Sequence, residues 1–314
     1  MVLVLATIFE SDLANKLTFK GGTSLSKVYR IIDRFSEDID LTYDIRELVP
    51  DLLAQGNPIP ASASQEKRIS SAVPNRLPEW IKSRVKPVIE SALLNSGLEN
   101  VTLTLAGKAN DNLILAYPAV KTGTGYSAPT IQLEFGARAT GEPNHIQAVI
   151  CDISPEIEGV IFPIAYPQVM TAERTFWEKA TAAHVYCLQG RLRGERYSRH
   201  WYDLVAIANT QHFLSACADI HLARSVAEHK SVFFVEKDGA GAKINYFAAI
   251  NGLLQLVPTG ASLKALESDY EAMVADGLLA LHQPSFSDII EQCAIIQNVA
   301  NRQTASSRLP DLGG

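Results

Sequence analysis

The spacing of hydrophobic and polar residues predicts a mixture of helices, strands and loops in the first third of the chain. Helical patterns over residues 2–17 and 22–34 flank a short extended stretch, LTFK, and the alternating stretch IDLTY follows as a strand. Residues 55–78 are rich in Pro, Ser, Ala and Asn without periodicity, which predicts a long loop or a segment that orders on binding. A further helix is predicted over residues 79–96.

A block of strands comes next and gives way to helices after Pro167. The stretches predicted as strands are VTLTLA, NLILAYP, TIQLEFGA, IQAVICDI and IFPIAY. The later helices are predicted over residues 171–189, 198–209, 213–229, 244–256, 262–277 and 285–301. We therefore predict an α+β fold, with a mixed α+β domain over residues 1–168, an all-helical domain over residues 169–304 and a flexible tail over residues 305–314.

Composition narrows the class of protein. The chain has 314 residues, of which 47% are hydrophobic and 20% charged, as in ordinary globular proteins of about two domains. The formal net charge of -6 excludes a uniformly basic nucleic-acid binder, so that any contact with nucleic acid requires a local basic patch.

Cysteine spacing and hydropathy predict a cytoplasmic protein. The four cysteines are scattered, without a CxxC pair or zinc-ligand spacing, which favours reduced thiols. No run approaches the roughly 18 apolar residues of a membrane span. The apolar start has no basic region and no cleavage site of a secretory signal, so we expect no membrane partner.

The stretch FKGGTSLSK places Gly21 and Gly22 between a predicted strand and a predicted helix. Backbone amides at a helix start have no partner within the helix and carry the positive end of its dipole, so they suit phosphate. Thr23 and Ser24 add hydroxyl donors. Lys27 is followed by valine, which excludes a Walker A motif, and no GxGxxG is present. A simple helix cap after a tight turn is the alternative interpretation.

An acidic pair follows about fourteen residues later, in SEDIDLTY. Asp38 and Asp40 are two residues apart on a predicted strand, so both carboxylates point to one face. Such carboxylates repel each other unless a cation lies between them, and oxygen ligands suit magnesium. Alone, the pair is also consistent with an exposed strand end. Together with the glycine turn, it would hold a nucleoside triphosphate (NTP) and its metal.

The combination of FKGGTSLSKVY and RFSEDIDL resembles the AbiEii/AbiGii-type abortive-infection nucleotidyltransferase toxins, which belong to the superfamily related to DNA polymerase beta. Two later stretches extend the resemblance. TAERTFWEKATAAH contains Glu178 and Lys179, and RYSRHWYDL contains Tyr202 and Asp203. The resemblance covers nearly the whole chain, and it implies a nucleotidyltransferase-like mixed sheet with flanking helices, followed by the helical domain that completes the active-site cleft.

The function implied by this resemblance is that of a Mg²⁺-dependent nucleotidyltransferase, which transfers a nucleoside monophosphate from an NTP and releases pyrophosphate. It implies the toxin of a bacterial toxin–antitoxin or phage-defence system, encoded beside its antitoxin. The expected acceptor is RNA, and tRNA in particular. Nucleotide transfer to a protein or small molecule is an alternative, as is a non-catalytic nucleotide-binding regulator.

The resemblance also assigns Asp38 and Asp40 as metal ligands. A third carboxylate is expected from a neighbouring strand, and Glu134 in TIQLEFGA is the candidate because it shares a polar face with Gln132. Glu134 is also a candidate to take the proton from the attacking hydroxyl. The alternative is a strand residue that faces solvent.

Lys179 lies beside the apolar face of its predicted helix, and the resemblance implies that it reaches a phosphate. Asp203 is expected to hold Lys179 in place or to contact the nucleotide. The alternatives are a surface lysine paired with Glu178 or Glu173, and an aspartate on a helix surface.

Basic residues are concentrated in QGRLRGERYSRH, where the single acid is Glu195. Its arginines are Arg191, Arg193, Arg196 and Arg199. This segment is the best candidate for contact with an RNA backbone, and a solvated loop is the alternative. Lys27, Arg30 and Arg34 recur at helical spacing and predict a second basic stripe near the glycine turn, or one that balances nearby acids.

Overall fold

The chain forms two compact units. One comprises Met1–Arg30 and Ser36–Thr171, and the other comprises Ile31–Phe35 and Ala172–Gly314. The computed structural model describes residues 1–36, 38–53, 56–98, 100–119, 129–191, 196–279 and 283–306, with side chains up to residue 304. The functional division of the chain at residues 168 and 304 stays a prediction.

A seven-stranded mixed sheet forms the centre of the first unit, in the order β3-β4-β5-β2-β1-β7-β6. Its strands are β1 (Leu17–Lys20), β2 (Ile39–Asp44), β3 (Thr102–Ala106), β4 (Asn112–Ala116), β5 (Thr130–Ala139), β6 (Asn144–Ile146) and β7 (Gln168–Met170). The pairs β2–β5 and β1–β7 are parallel, and the other neighbours are antiparallel. Alternate residues of β2, Ile39 and Leu41, are fully buried, which places the core against one face of the central strands.

Helices flank this sheet. They are α1 (Val2–Phe9), α2 (Gly21–Lys27), α3 (Ile45–Leu48), α4 (Ala63–Trp80) and α5 (Lys86–Asn95). A π-helical turn, Ile81–Val85, joins α4 to α5. The Trp80 ring at the end of α4 stacks on Tyr43 of β2 with ring centroids 3.8 Å apart. This stacking fixes α4 against the sheet that carries the acidic residues.

The second unit is built from helices. They are α6 (Ala172–Gln189), α7 (Arg199–Ala208), α8 (Gln211–Ala218), α9 (Ile220–Phe233), α10 (Tyr246–Ala248), α11 (Gly260–Ala275) and α12 (Phe286–Ser306). The indoles of Trp177 and Trp201 are fully buried, and each donates a hydrogen bond to a backbone carbonyl, at 2.8 and 2.6 Å. The predicted α+β class with a helical C-terminal part is therefore confirmed. No helix within the described residues is long and apolar enough to cross a membrane.

Two predictions near the N-terminus are wrong. The helix predicted over residues 22–34 ends at Lys27, and Arg30 has a positive φ of 51° that a helix does not allow. The first helix likewise ends at Phe9 instead of residue 17. Each stretch is apolar enough to suggest a helix over its whole length. The buried apolar residues that follow Phe9 and Lys27 lie instead in strand and coil.

The loop predicted over residues 55–78 is also largely wrong, because α4 begins at Ala63. Ser62 caps this helix by accepting a hydrogen bond from the Gln65 amide at 3.2 Å. Pro74 and Pro78 lie inside the helix and removed the helical signal from the sequence. Burial of an apolar residue every fourth position outweighs their cost; the buried residues are Ile69, Val73, Leu77, Ile81, Val85 and Ile89.

The strands predicted in IQAVICDI and IFPIAY are replaced by one isolated bridge between Val149 and Ala165. β6 stops at Ile146, and the prolines of this segment cannot donate to a ladder. The short strand β7 was not predicted, because three residues carry no usable periodicity. The helix predicted over residues 213–229 is divided by Asp219, which caps α9.

Candidate functional site

Gly21 brings the glycine turn against the acidic strand. It follows β1, begins α2 and has a φ of +80°, a conformation that glycine adopts without steric cost. A Cβ atom at this position would overlap the Asp40 carboxylate. Glycine is therefore required here for two independent reasons, its backbone conformation and the closeness of Asp40.

Asp40 and Glu134 are direct neighbours across the parallel strands β2 and β5. Residues paired in register point to the same face of a sheet, so the two half-buried carboxylates share one face. Gln132 donates a hydrogen bond from Nε2 to Glu134 Oε1 at 2.5 Å and so orients that carboxylate. The structure thus brings together the acidic strand and the carboxylate that the sequence predicted beside it.

Asp38 lies one residue before β2 and is half-buried. The prediction that it shares a strand with Asp40 is wrong by this one position. Within the described parts of the chain, no group of three metal-ligating side chains is assembled. The donor set formed by Asp40 and Glu134, two carboxylates on one face, has the chemistry that a hard divalent cation such as Mg²⁺ prefers.

The other residues predicted around the turn have partners within the first unit. Thr23 Oγ1 and Ser36 Oγ lie 2.9 Å apart, and Ser24 Oγ donates to the Gly21 carbonyl at 2.9 Å. Gly22, Thr23 and Ser24 are buried. Lys27 forms an ion pair with Asp152. The hydroxyl groups therefore shape the turn, which leaves the backbone amides of its first turn as the groups suited to a phosphate.

A buried charge cluster, formed by Arg34, Lys179 and Asp203, lies in the second unit. Lys179 Nζ is 2.8 Å from Asp203 Oδ2, and the Arg34 guanidinium donates to both oxygens of the same carboxylate at 2.7 and 2.8 Å. The exposed fractions are 0% for Asp203, 8% for Lys179 and 7% for Arg34. The predicted pairing of Lys179 with Asp203 is present in the structure.

The alternative interpretations of this region are wrong. Lys179 is not a surface lysine, and Asp203 does not lie on a helix surface. Glu178 pairs with Arg174 at 3.1 Å, and the Glu173 carboxylate accepts a hydrogen bond from His212 Nδ1 at 2.7 Å. The carboxylate that lies 2.8 Å from Lys179 Nζ is that of Asp203.

Within the buried charge cluster, the neighbouring cations favour the ionised form of Asp203, whereas burial disfavours the charged form of Lys179. Burial opposes ionisation of Asp203, but Lys179 and Arg34 hold its pKa below the ordinary value. Burial lowers the pKa of Lys179, and Asp203 counteracts this. Within the described residues, Asp203 is the hydrogen-bond partner of Lys179 Nζ, and an ammonium has three donors. Lys179 therefore keeps donors for a further acceptor.

His200 adds no charge to this cluster. Burial, together with nearby Lys179 and Arg199, lowers its pKa well below the ordinary value, so the imidazole is neutral. Its Nδ1 atom is buried and has no hydrogen-bond partner within the described residues.

The predicted arginine segment is only partly described, and Arg193 lies outside the described residues. Arg191 and Arg199 are exposed, and Arg199 begins α7 one turn before Asp203. The backbone amide of half-buried Arg196 donates to Asp269 at 2.7 Å, which fixes the chain before α7. Two of the four predicted arginines thus present their side chains to solvent.

Arg34 is the residue of this region that sequence analysis assigned wrongly. The predicted basic stripe requires a helix through residue 34, whereas the helix ends at Lys27. Arg34 is buried instead, and its partner Asp203 lies 169 positions away along the chain. No local pattern could reveal that pairing.

Comparison with known proteins gives one family match. The family model described as the nucleotidyl transferase AbiEii toxin of type IV toxin–antitoxin systems matches residues 3–292. A search of curated proteins gives no match. Two solved structures are similar over 98% of this chain. MenT4, a nucleotidyltransferase toxin from Mycobacterium tuberculosis H37Rv, is 16% identical with a TM-score of 0.45, and 85% of it is covered. A putative nucleotidyltransferase from H. pylori is 15% identical with a TM-score of 0.44, and 94% of it is covered.

Proposed function

Since the chain belongs to the AbiEii family of nucleotidyltransferase toxins of type IV toxin–antitoxin systems, we propose that it transfers a nucleoside monophosphate from an NTP to RNA, with tRNA as the acceptor. The family implies an antitoxin partner, and we infer a role in abortive infection and phage defence. The observation that best supports chemistry in this chain is the approach of Gly21 to the Asp40 carboxylate. It unites a phosphate-binding turn with an acidic strand.

We assign the acidic residues of the first unit to the metal and to the proton. Asp40 and Glu134, together with Asp38, would hold Mg²⁺, which when bound neutralises charge on the transferred phosphate. The acceptor hydroxyl oxygen forms a bond to the α-phosphorus as the bond to pyrophosphate breaks. Glu134 takes the proton that the hydroxyl loses. The amides of Gly21 and Gly22, held by Thr23 and Ser24, bind phosphate oxygens.

We assign Lys179 of the second unit to a phosphate group of the nucleotide. It is buried and positively charged, and one of its three donors is engaged by Asp203. Desolvation strengthens the attraction between such an ammonium and a phosphate. Asp203 keeps the ammonium charged and oriented. Lys27, in contrast, is already paired with Asp152 and would contact phosphate only by exchanging that partner.

We assign RNA as the acceptor because of the arginine segment. Arg191 and Arg199 are exposed in a chain whose net charge is -6, and Arg193 and Arg196 belong to the same segment. Exposed arginines suit the phosphate backbone of RNA. The net negative charge favours a second candidate function, transfer to a protein or a small molecule.

Transfer of label from α-labelled ATP, CTP, GTP and UTP, supplied singly with Mg²⁺, tests this proposal. Total bacterial RNA and protein serve as acceptors, and Asp40→Asn is compared with wild type. Asp44→Asn is the matched control, since Asp44 lies on the same strand and pairs with half-buried Arg46. We expect label in a tRNA-sized band with wild type and Asp44→Asn only. Label in a protein band identifies the second candidate function. Transfer of label by Asp40→Asn would show that the assigned site is wrong.

A further inference from the structure

The residues Ile31–Phe35 form a short anchor segment that belongs to the second unit. Its backbone is held there by an antiparallel bridge and its hydrogen bond. The amide of Phe35 donates to the Leu278 carbonyl at 2.7 Å, and Arg34 forms an antiparallel bridge with Leu279. The side chain of Ile32 is buried. Arg34 therefore projects from a fixed backbone and not from a mobile loop.

The Arg34 guanidinium fixes the Asp203 carboxylate through both of its oxygens. Nε donates to Oδ1 at 2.7 Å and Nη2 donates to Oδ2 at 2.8 Å, while Nη1 donates to the Phe35 carbonyl at 3.2 Å. Such a two-pronged contact sets the plane of the carboxylate as well as its position. A lysine ammonium at residue 34 would supply a point charge without this geometry.

Lys179 shares one of these oxygens. Its Nζ lies 2.8 Å from Oδ2, the oxygen that also accepts from Arg34 Nη2. The position of that oxygen therefore determines the direction in which the remaining donors of Lys179 point. We propose that Arg34 is a positioning residue for nucleotidyl transfer, which holds Asp203 so that Lys179 directs its remaining donors to a phosphate group of the NTP. This inference rests on the proposed function.

Because Arg34 lies among the charged groups around Asp203, its replacement should change pKa values that can be measured. Lys179 faces Asp203 from α6, and Arg34 faces it from the anchor segment. The titratable groups that lie with Asp203 on α7 are the neutral His200, the charged Arg199 and Tyr202. Asp33 of the anchor segment contacts Tyr202. The Arg34 charge lowers the pKa of Asp203, as the Lys179 charge does. The Arg34 charge also lowers the pKa of Lys179. Both pKa values therefore rise when Arg34 is neutralised.

This role is tested by three variants, Arg34→Gln, Arg34→Lys and Arg174→Gln. Arg174 is the matched control, because it is a buried arginine of the same unit that pairs with Glu178. We expect Arg34→Gln to lower kcat/KM about 100-fold through misplacement of Lys179. The basic limb of its pH profile, which deprotonation of Lys179 sets, should move to higher pH because the like charge of Arg34 is removed. Arg34→Lys keeps the charge, so its basic limb stays in place while kcat/KM falls. Arg174→Gln leaves the limb in place.

Wild-type kcat/KM and an unmoved basic limb in folded Arg34→Gln would overturn the inference. If that variant does not fold, Arg34→Lys decides, and wild-type kcat/KM in Arg34→Lys overturns it. Failure of both variants to fold also overturns it, because Arg34 is then required for the fold itself.

A second measurement separates this inference from the proposed function. Titration of ¹³C-labelled Lys179 by NMR, assigned with Lys179→Met, requires no activity. If wild type transfers nucleotide to no acceptor, the proposed function fails, and the titration still tests Arg34. We expect the pKa of Lys179 to rise in Arg34→Gln and to stay unchanged in Arg174→Gln. An unchanged Lys179 titration in Arg34→Gln contradicts the positioning role.

Discussion

Asp40 and Glu134 stand side by side at the same register position of two parallel strands. Their common face is set by the pairing of β2 with β5, so a shift of either strand by one residue would separate the two carboxylates. β5 extends over ten residues and is paired on both sides, with β2 and β4. The position of Glu134 therefore depends on the longest described strand of the sheet.

Replacement of Glu134 tests its assignment as proton acceptor. Glu134→Gln keeps the size of the side chain and removes its basicity, so we expect kcat to fall by about 10²- to 10⁴-fold with the fold retained. Glu142→Gln is the control, since Glu142 is an exposed carboxylate of the same unit paired with Arg46. Single-turnover transfer measures the effect. A Glu134→Gln enzyme with the rate of Glu142→Gln would show that proton transfer does not involve this residue.

Replacement of Gly21 by alanine tests the contact between the turn and the acidic strand. The left-handed backbone conformation alone costs about 1 to 2 kcal/mol for a non-glycine residue. Gly21→Ala adds overlap with Asp40, so we expect a larger loss of unfolding free energy together with loss of transfer. Gly97→Ala is the matched control, because Gly97 has a φ of +68° but nothing near its missing Cβ. Urea unfolding compares the two; equal losses would contradict the overlap.

Asp203→Asn tests the coupling within the buried charge cluster. This change removes the buried carboxylate that Lys179 and Arg34 share, which costs about 3 to 5 kcal/mol of unfolding free energy at neutral pH. The double variant Lys179→Met, Asp203→Asn removes one cation, so it should be more stable than Asp203→Asn alone. Thermal or urea unfolding of both variants measures this. An equally unstable double variant would show that Asp203 and Lys179 contribute independently.

The pH dependence of this pair follows from the lowered pKa of Asp203. Because its folded pKa lies below the unfolded value of about 3.9, its stabilising contribution is complete above about pH 4. That contribution is lost as the pH falls through the folded pKa. Asp203→Asn should therefore lose less stability than wild type on acidification below about pH 4.

His184 predicts a separate effect at mildly acidic pH. Burial lowers its pKa to about 4, and its Nδ1 accepts a hydrogen bond from the Gln255 amide at 3.1 Å. The unfolded chain binds a proton near pH 6.5 while the folded chain does not, so stability falls as the pH drops from about 6.5 to 4. The loss amounts to ~3 kcal/mol. His184→Asn, which keeps an acceptor without titrating, should flatten the unfolding free energy over that range; an unchanged slope assigns it to other groups.

The sequence predicted those parts of the site that depend on local pattern. Alternation in IDLTY and TIQLEFGA predicted two strands and placed Glu134 on a polar face, and the family motifs singled out Lys179 and Asp203. Helix α4 was missed because Pro74 and Pro78 weaken the local signal, while its stability comes from packing against the sheet. Arg34 was misplaced for a related reason, since its role is set by a partner 169 positions distant.

The anchor segment has a consequence for how this protein can be divided. A fragment that starts at Ala172 would lack Ile32 and Arg34, and so would expose an apolar site and remove the guanidinium that holds both oxygens of Asp203. Gene fusions or truncations placed at residue 171 would therefore yield an incomplete helical body. The second unit is discontinuous along the chain, so we expect exchange of C-terminal halves between related toxins to succeed only when residues 31–35 are exchanged with them.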